Sequence, residues 1–213
     1  MRIGVLGSGD VGRTLAAGFT GLGHEVMLGT RDPKKGPITA WVQSTGKGVS
    51  VGTFAEAAAF GDVLVLAVLG TAVEEVARLA GAKNCVGKPV IDATNPLDMS
   101  TMPPGLFTGT TDSLGERVQR LLPGAHVVKA FNTVGNPHMV KPDFPGGPPD
   151  MFICGDDDGA KATVTDLTKA LGWNVIDLGG IEASRYLEPL AMVWITHYFR
   201  TRSGNHAFKL LRR

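Results

Sequence analysis

The sequence predicts an α/β fold: a doubly wound, mostly parallel sheet with a short C-terminal helical extension. Three observations predict it. Apolar runs of strand length alternate with helical periodicities along most of the 213 residues. A glycine-rich turn, GSGDVG, joins the first apolar run to the first helical pattern. The most apolar stretch, DVLVLAVL at residues 62–69, is continuous rather than alternating, which suits a central parallel strand covered on both faces.

Residues 3–6 form a short buried strand that ends in glycine. Val11, Leu15, Phe19 and Leu22 then recur on one helical face, and Gly21 and Gly23 stop that helix. Residues 24–28 read as the second strand. A loop rich in Gly, Pro and Lys follows, with a short helix around Trp41 and Val42, and residues 48–51 make a third strand. Thr53-x-x-Glu56 is a capping-box pattern opening an alanine-rich helix to Phe60. After the central strand, Thr71-x-x-Glu74 repeats the pattern, and Val73, Val76, Ala77 and Ala80 give that helix its apolar side, with Gly81 or Gly87 as its end.

Residues 89–93 are the fifth strand. Residues 96–111 show no period and read as an irregular loop. Ser113-x-x-Glu116 starts a helix that Pro123 and Gly124 end, and residues 126–131 are the sixth strand. Residues 132–149, rich in proline and glycine, read as irregular. Residues 151–154 are a seventh strand. The acidic run 156–158 suits the positive end of a helix reaching Leu171, and residues 173–178 are an eighth strand. A last helix runs from Ile181 to about Phe199, followed by a basic tail. The expected division is a nucleotide-binding domain over residues 1–180 and a packing, dimer or acceptor-pocket segment over residues 181–213.

The glycine turn carries a ligand prediction. Gly7, Gly9 and Gly12 fit G-x-G-x-x-G between a strand and a helix: one glycine for the tight turn, one for close approach of a pyrophosphate, one for helix–strand packing. Free N–H groups at the helix start hold the anion. The dinucleotide-binding set expected from this Rossmann-like arrangement is Gly7, Ser8, Gly9, Asp10, Val11 and Gly12. The second strand ends in Gly29, Thr30 and Arg31, with Lys34 and Lys35 beyond. An NAD site places a carboxylate there for the ribose 2′-hydroxyl. A hydroxyl and cations instead suit a 2′-phosphate, so Thr30, Arg31 and Lys35 point to NADP(H), with Asp32 expected to turn away or pair with a lysine.

In such sheets ligands lie beyond the carboxyl ends of the strands. Ala67, Val68, Leu69, Asn95, Ala130 and Asn132 are therefore expected to complete the cofactor site. Thr94, Asn95, Asn132 and Thr133 are positioning candidates beside the nicotinamide. No Ser-x-x-x-Lys or Tyr-x-x-x-Lys pair and no tight metal-ligand spacing is present, so no catalytic acid, base or metal is expected. Hydride transfer between two bound rings needs proximity and orientation rather than a proton donor. The apolar last helix reads as a core or dimer helix, and on a sharper reading it also walls a pocket for a flat aromatic partner.

Composition bounds the partners. A net charge of +1 gives no reason to expect nucleic acid or an anionic membrane, and no apolar run is long enough to span a bilayer. The chain enters its first strand at once, so no signal peptide is expected. Two distant cysteines, Cys85 and Cys154, suit reduced core thiols in a cytoplasmic protein.

Several segments also stand in a recognisable order: MRIGVLGSGDVG, GTR with following lysines, HVVKAFNTV, MFICGDDD and WNVIDLGGIEASRYLEPLAMVW. Together they resemble the NADPH-dependent reductases of the deazaflavin coenzyme F420, and the NADPH-oxidising domains of the transmembrane metalloreductases. The resemblance implies NADP(H) bound by the glycine loop and by Thr30, Arg31 and Lys35. It implies hydride exchange with a flavin-like ring, F420 or a flavin, as a small-molecule acceptor, often in a homodimer. Two other readings stay open: an NADP(H)-binding redox sensor without turnover, and a reductase of a small imine or hydroxy acid.

Overall fold

The computed structural model describes all residues, 1–213. Eight strands form one sheet: β1 (Arg2–Leu6), β2 (Glu25–Thr30), β3 (Val49–Thr53), β4 (Val63–Leu66), β5 (Pro89–Asp92), β8 (His126–Lys129), β9 (Asp150–Gly155) and β10 (Asn174–Asp177). Their order across the sheet is β10-β9-β8-β5-β4-β1-β2-β3. From β8 to β3 every neighbouring pair is parallel. β9 is antiparallel to β8, and β10 runs parallel to β9. The chain leaves β1 for β2 on one side and later returns to β4 on the other. The switch point of the sheet therefore lies between β1 and β4.

Alternate strand residues feed two cores, as a sheet covered on both faces requires. Ile3, Val5, Val63, Val65 and Ile91 pack on one face with Leu15, Ala16 and Phe19 of α1 (Asp10–Gly21). Ile38 of α2 (Gly36–Thr45) and Val164 and Leu167 of α7 (Asp158–Ala170) complete that layer. Leu6, Leu64, Leu66, Val90 and Val127 pack on the other face. Their partners there include Phe54 and Ala57 of α3 (Phe54–Phe60), Val73 and Val76 of α4 (Val73–Ala80), and Val118 of α6 (Leu114–Leu121). Between α4 and β5 lies one further turn of helix, α5 (Ala82–Cys85).

Of the three expected capping boxes, one forms in full, one in part and one not at all. Thr53 and Glu56 make a reciprocal capping box at α3. Thr53→Ala is expected to cost about 1 kcal/mol, read as a lower denaturant midpoint with unchanged slope. The Ser113 hydroxyl accepts the Glu116 N–H, but the Glu116 carboxylate accepts the Ser113 hydroxyl and Arg185 instead of the Ser113 backbone N–H. No side chain caps α4, because Gly70–Ala72 wind into a 3-10 turn that leads the helix in at Val73. The central strand stops at Leu66, earlier than its apolar run, since residues 67–69 bend into the loop at the switch point. The stretch 96–111 holds a small antiparallel ribbon, β6 (Leu97–Asp98) with β7 (Gly105–Leu106). The last helix, α8 (Ser184–Thr201), is preceded by a 3-10 turn at Ile181–Ala183.

Cys85 and Cys154 are both buried and free. Burial pushes the Cys154 thiol up to about 11, against the hydrogen bond to Ser184 that lowers it. No helix is long and apolar enough to cross a membrane.

Candidate functional site

The glycine turn sits at the switch point, and its three glycines do three different jobs. A Cβ on Gly7 would stand 2.1 Å from the Ala67 carbonyl oxygen, and its φ of +140° lies where side chains are strained. A Cβ on Gly12 would stand 2.1 Å from the Gly7 carbonyl oxygen, so this glycine lets α1 close on the turn. A Cβ on Gly9 meets nothing within 4 Å. Gly9 is the N-cap of α1 and has ordinary negative φ, so only space in front of it is being kept. The first-turn N–H groups beside it carry the positive end of the helix dipole.

A cleft of about 800 Å³ opens there, lined by Gly7, Ser8, Gly9, Asp10 and Val11 on the turn and by Thr30, Arg31 and Lys35 beyond β2. Ala67, Val68 and Leu69 form its inner wall. The Ser8 hydroxyl donates to the Thr30 hydroxyl at 3.2 Å, tying the turn to the end of β2. Arg31 and Lys35 are exposed and take part in no ion pair. Asp10 is different: its carboxylate holds Arg13 at 3.0 Å. Asp32 also lines the cleft, yet it neither turns out nor pairs with a lysine side chain. Its Oδ1 accepts the backbone N–H of Lys34 at 3.1 Å, closing the loop before α2.

A second cavity of about 1130 Å³ adjoins the first. Val68, Leu69 and Ala93 line both, so the two cavities adjoin there and together form a trough. Leu69 stands at the junction with 73% of its surface exposed, far more than its apolar side chain would choose in a closed core. Asn95, Phe107 and Leu114 wall the second cavity, with Arg117 and Arg120 on α6.

Five expected site residues lie behind the trough rather than in it. Gly12 is used for packing. Ala130 is fully buried at the end of β8. Thr94 is 1% exposed because it folds back on Asp92, whose Oδ1 accepts its N–H at 3.0 Å and its hydroxyl at 2.6 Å. Asn132 is buried, its side-chain N–H groups donating to Asn95 Oδ1 at 3.1 Å and to the Leu187 carbonyl at 2.9 Å. Thr133 is buried beside it. Asn95 alone of the positioning set reaches the second cavity, and it is held by donating to the Asn132 carbonyl at 2.7 Å. The last helix, expected to wall the acceptor pocket, contributes no residue to either cavity of this chain. It packs through Leu187, Glu188 and Ala191, with Glu188 at the start of α6.

The structure adds a charged cluster that the sequence pattern did not reveal. Lys129, Asp92 and Glu188 are almost wholly buried, with the lysine Nζ 2.8 Å from Asp92 and 3.1 Å from Glu188. Lys129 also donates to the Thr94 carbonyl at 2.9 Å. Glu188 accepts the N–H groups of Leu114 and Gly115 at 3.0 and 2.9 Å, so a residue of α8 caps α6. Burial lowers the Lys129 pKa, but the two carboxylates outweigh it and hold the ammonium above its usual value. The cluster ties the loop bearing Asn95 to the helix bearing Arg117. A lysine inside the otherwise apolar run HVVKAF was its one signal in the sequence.

Just before α6, Asp112 accepts from Arg117 Nε at 2.8 Å and from Arg120 Nη2 at 2.9 Å. Burial raises the Asp112 pKa, yet the two arginines and the Ser113 N–H override it and hold the carboxyl at about 2. A depressed carboxyl stabilises the fold above its unfolded pKa, near 3.8, and loses that contribution as pH falls toward 2. The melting-temperature gap between the wild type and Asp112→Asn is expected to be constant at neutral pH and to close between those two values.

Comparison with known proteins agrees with this architecture. Residues 2–96 match the family described as NADP oxidoreductase, coenzyme F420-dependent. A crystal structure from Arthrobacter sp. FB24, provisionally described as an F420-dependent NADP reductase, is 43% identical. It superposes with a TM-score of 0.94 over 100% of both chains. Rat metalloreductase STEAP3 is 29% identical over 90% of this chain, which spans 36% of that relative's length. The F420-dependent NADP reductase of Methanothermobacter thermautotrophicus is 30% identical over 99% of this chain and 94% of its own. Similar along essentially its whole length to that enzyme, this chain belongs to the family of F420-dependent NADP oxidoreductases.

Proposed function

We propose that the protein is an NADP(H)-dependent oxidoreductase that exchanges a hydride between NADPH and a flavin-like or deazaflavin acceptor. The observation that carries this reading is the trough formed by two adjoining cavities. It has free cations and an unobstructed helix N-terminus at one end, and an apolar cavity meeting it at Val68, Leu69 and Ala93. The residues present fit the dinucleotide. Gly9 leaves room for the pyrophosphate, and Thr30, Arg31 and Lys35 offer a hydroxyl and two cations to the 2′-phosphate. Bound NADPH supplies a hydride, which with a proton from solvent reduces the acceptor ring and leaves NADP⁺. The chain's part is to hold two rings face to face and to keep water from between them. Leu69, Val68 and Ala93 provide the apolar walls, and Asn95 offers an amide at the edge. No histidine or cysteine lines the trough, in keeping with a reaction driven by orientation.

The buried, free cysteines support a cytoplasmic setting. The outward stripe of Tyr186, Pro189 and Val193 on α8 supports a homodimer, since Tyr186 and Val193 are 74% and 58% exposed. Loss of NADPH absorbance in stopped flow, with F420, FMN and riboflavin as acceptors, tests the activity. Turnover with at least one ring is expected, and none with any ring would overturn it. Gly9→Ala supplies a second check. Its Cβ has free space in the protein, so the melting temperature should hold, while NADPH affinity should fall about tenfold or more as the methyl meets the pyrophosphate. Gly7→Ala, by contrast, should damage folding itself.

A further inference from the structure

We propose that Arg117 and Arg120 are the anchor for an anionic arm of the acceptor, with Asp112 as an internal stand-in for that anion. The inference rests on the reading of the second cavity as the acceptor site and names the chemistry of what enters it: a flat ring bearing a phosphate or carboxylate. Leu114, Arg117 and Leu121 recur at three- and four-residue spacing, so one stripe of α6 faces the cavity, with Arg120 beside it. The stripe is apolar at its start and cationic toward its end. Phe107 lies under the Arg117 guanidinium, 5.9 Å from ring centre to carbon, which keeps that group flat against the wall.

The charge count shows that the pair is not neutralised. Two guanidiniums share the single Asp112 carboxylate, leaving one positive charge. The next carboxylate on the helix, Glu116, is taken by Arg185. Asp98 and Glu74 line the same cavity but form no ion pair with either arginine: Asp98 accepts the Ser100 N–H in the ribbon turn, and Glu74 sits in the first turn of α4. Arg117 and Arg120 keep 41% and 59% of their side-chain surface exposed, so their remaining N–H groups are open to a ligand. A guanidinium presents five donors in a fork suited to phosphate and carboxylate, and one carboxylate cannot fill two forks. Neither arginine lines the nucleotide cleft, whereas Val68, Leu69 and Ala93 line both. The acceptor ring therefore lies toward the junction and its arm toward α6.

FMN and riboflavin separate the charge from the ring, since they differ only by a phosphate. Their dissociation constants are to be measured by flavin fluorescence with NADP⁺ saturating, so that the other phosphate site is already filled. The expected result is FMN binding about tenfold to a hundredfold tighter than riboflavin, the worth of one charge-assisted hydrogen bond. In the double variant Arg117→Met, Arg120→Met the preference should vanish with riboflavin affinity retained. In Asp112→Asn it should grow severalfold, because a competing anion is gone. Equal binding of the two flavins by the wild type, or an FMN preference that survives in the double variant, overturns the anchor. Should the double variant fail to fold, an unchanged or smaller preference in Asp112→Asn overturns it equally. A normal FMN preference without NADPH oxidation by any ring leaves the anchor standing and removes the hydride-transfer reading instead.

Discussion

Replacing Arg31 by Asp is expected to weaken NADPH binding by about 100-fold or more while changing NADH affinity only slightly, since a charge-assisted hydrogen bond is worth about 1.5–3 kcal/mol and the new carboxylate adds repulsion. The physical ground is that Arg31 has no ion-pair partner to lose and lines the cleft at the end of β2. A 2′-phosphate carries close to two negative charges, and the nearest neighbours able to share it are Thr30 and Lys35. Arg31→Asp removes one donor and sets a third acid beside Asp10 and Asp32 on that wall. NADH carries only a hydroxyl at that carbon, which a carboxylate can bind. The size of the change should thus differ between the two cofactors. Calorimetric titration of both nucleotides checks it, and equal losses would show that Arg31 does not meet the extra phosphate.

The second large effect concerns stability. Lys129→Met should destabilise the fold by about 3–5 kcal/mol, because it leaves two buried carboxylates facing each other without their cation. For a chain of this size that corresponds to a melting temperature lower by roughly 6–20 °C. The pH dependence supplies a second reading of the same event. The raised folded pKa of Lys129 means that its contribution is fully present below the unfolded lysine value and is lost only as pH rises through the folded one. Wild-type stability should therefore show no trace of this group near neutrality. Gly115 belongs to the same arrangement. A Cβ there would stand 2.3 Å from the Ser184 hydroxyl and 2.9 Å from Lys129 Cε, so the lysine has its room because that position is glycine.

How far the sequence shows these features depends on how each signal is carried. Parallel strands covered on both faces appear as continuous apolar runs, so β1, β4, β5 and β8 stand out one residue at a time. The alternation of Ile3 and Val5 with Leu6 between two cores has no visible period, yet the runs suffice to place the sheet. The glycine turn is legible because each glycine answers a local need. The ribbon of β6 and β7 is not, since two residues on each side are too few to show a period. Nor does the sequence show that Thr94, Asn132 and Thr133 turn inward. Small polar residues after a strand suit a ligand and a buried hydrogen-bond network equally, and Asp92, Asn95 and Leu187 decide the matter in the folded chain. The cluster of Lys129 with Asp92 and Glu188 joins residues far apart in the chain, and charged side chains are ordinarily read as solvated. Arg117 and Arg120 are visible in the sequence pattern. Their spacing from Leu114 and Leu121 marks one helical face on which cations adjoin leucines.

The central claim is that one trough holds NADPH end to end, with its phosphate-bearing ribose at Arg31 and its nicotinamide where the two cavities meet. A crystal structure of the complex tests it most directly. The account predicts the 2′-phosphate within hydrogen-bonding distance of Thr30, Arg31 or Lys35, the pyrophosphate over Gly9, and the nicotinamide against Val68, Leu69 and Ala93. An adenosine end seated away from those three side chains, or a nicotinamide outside the junction, would contradict it.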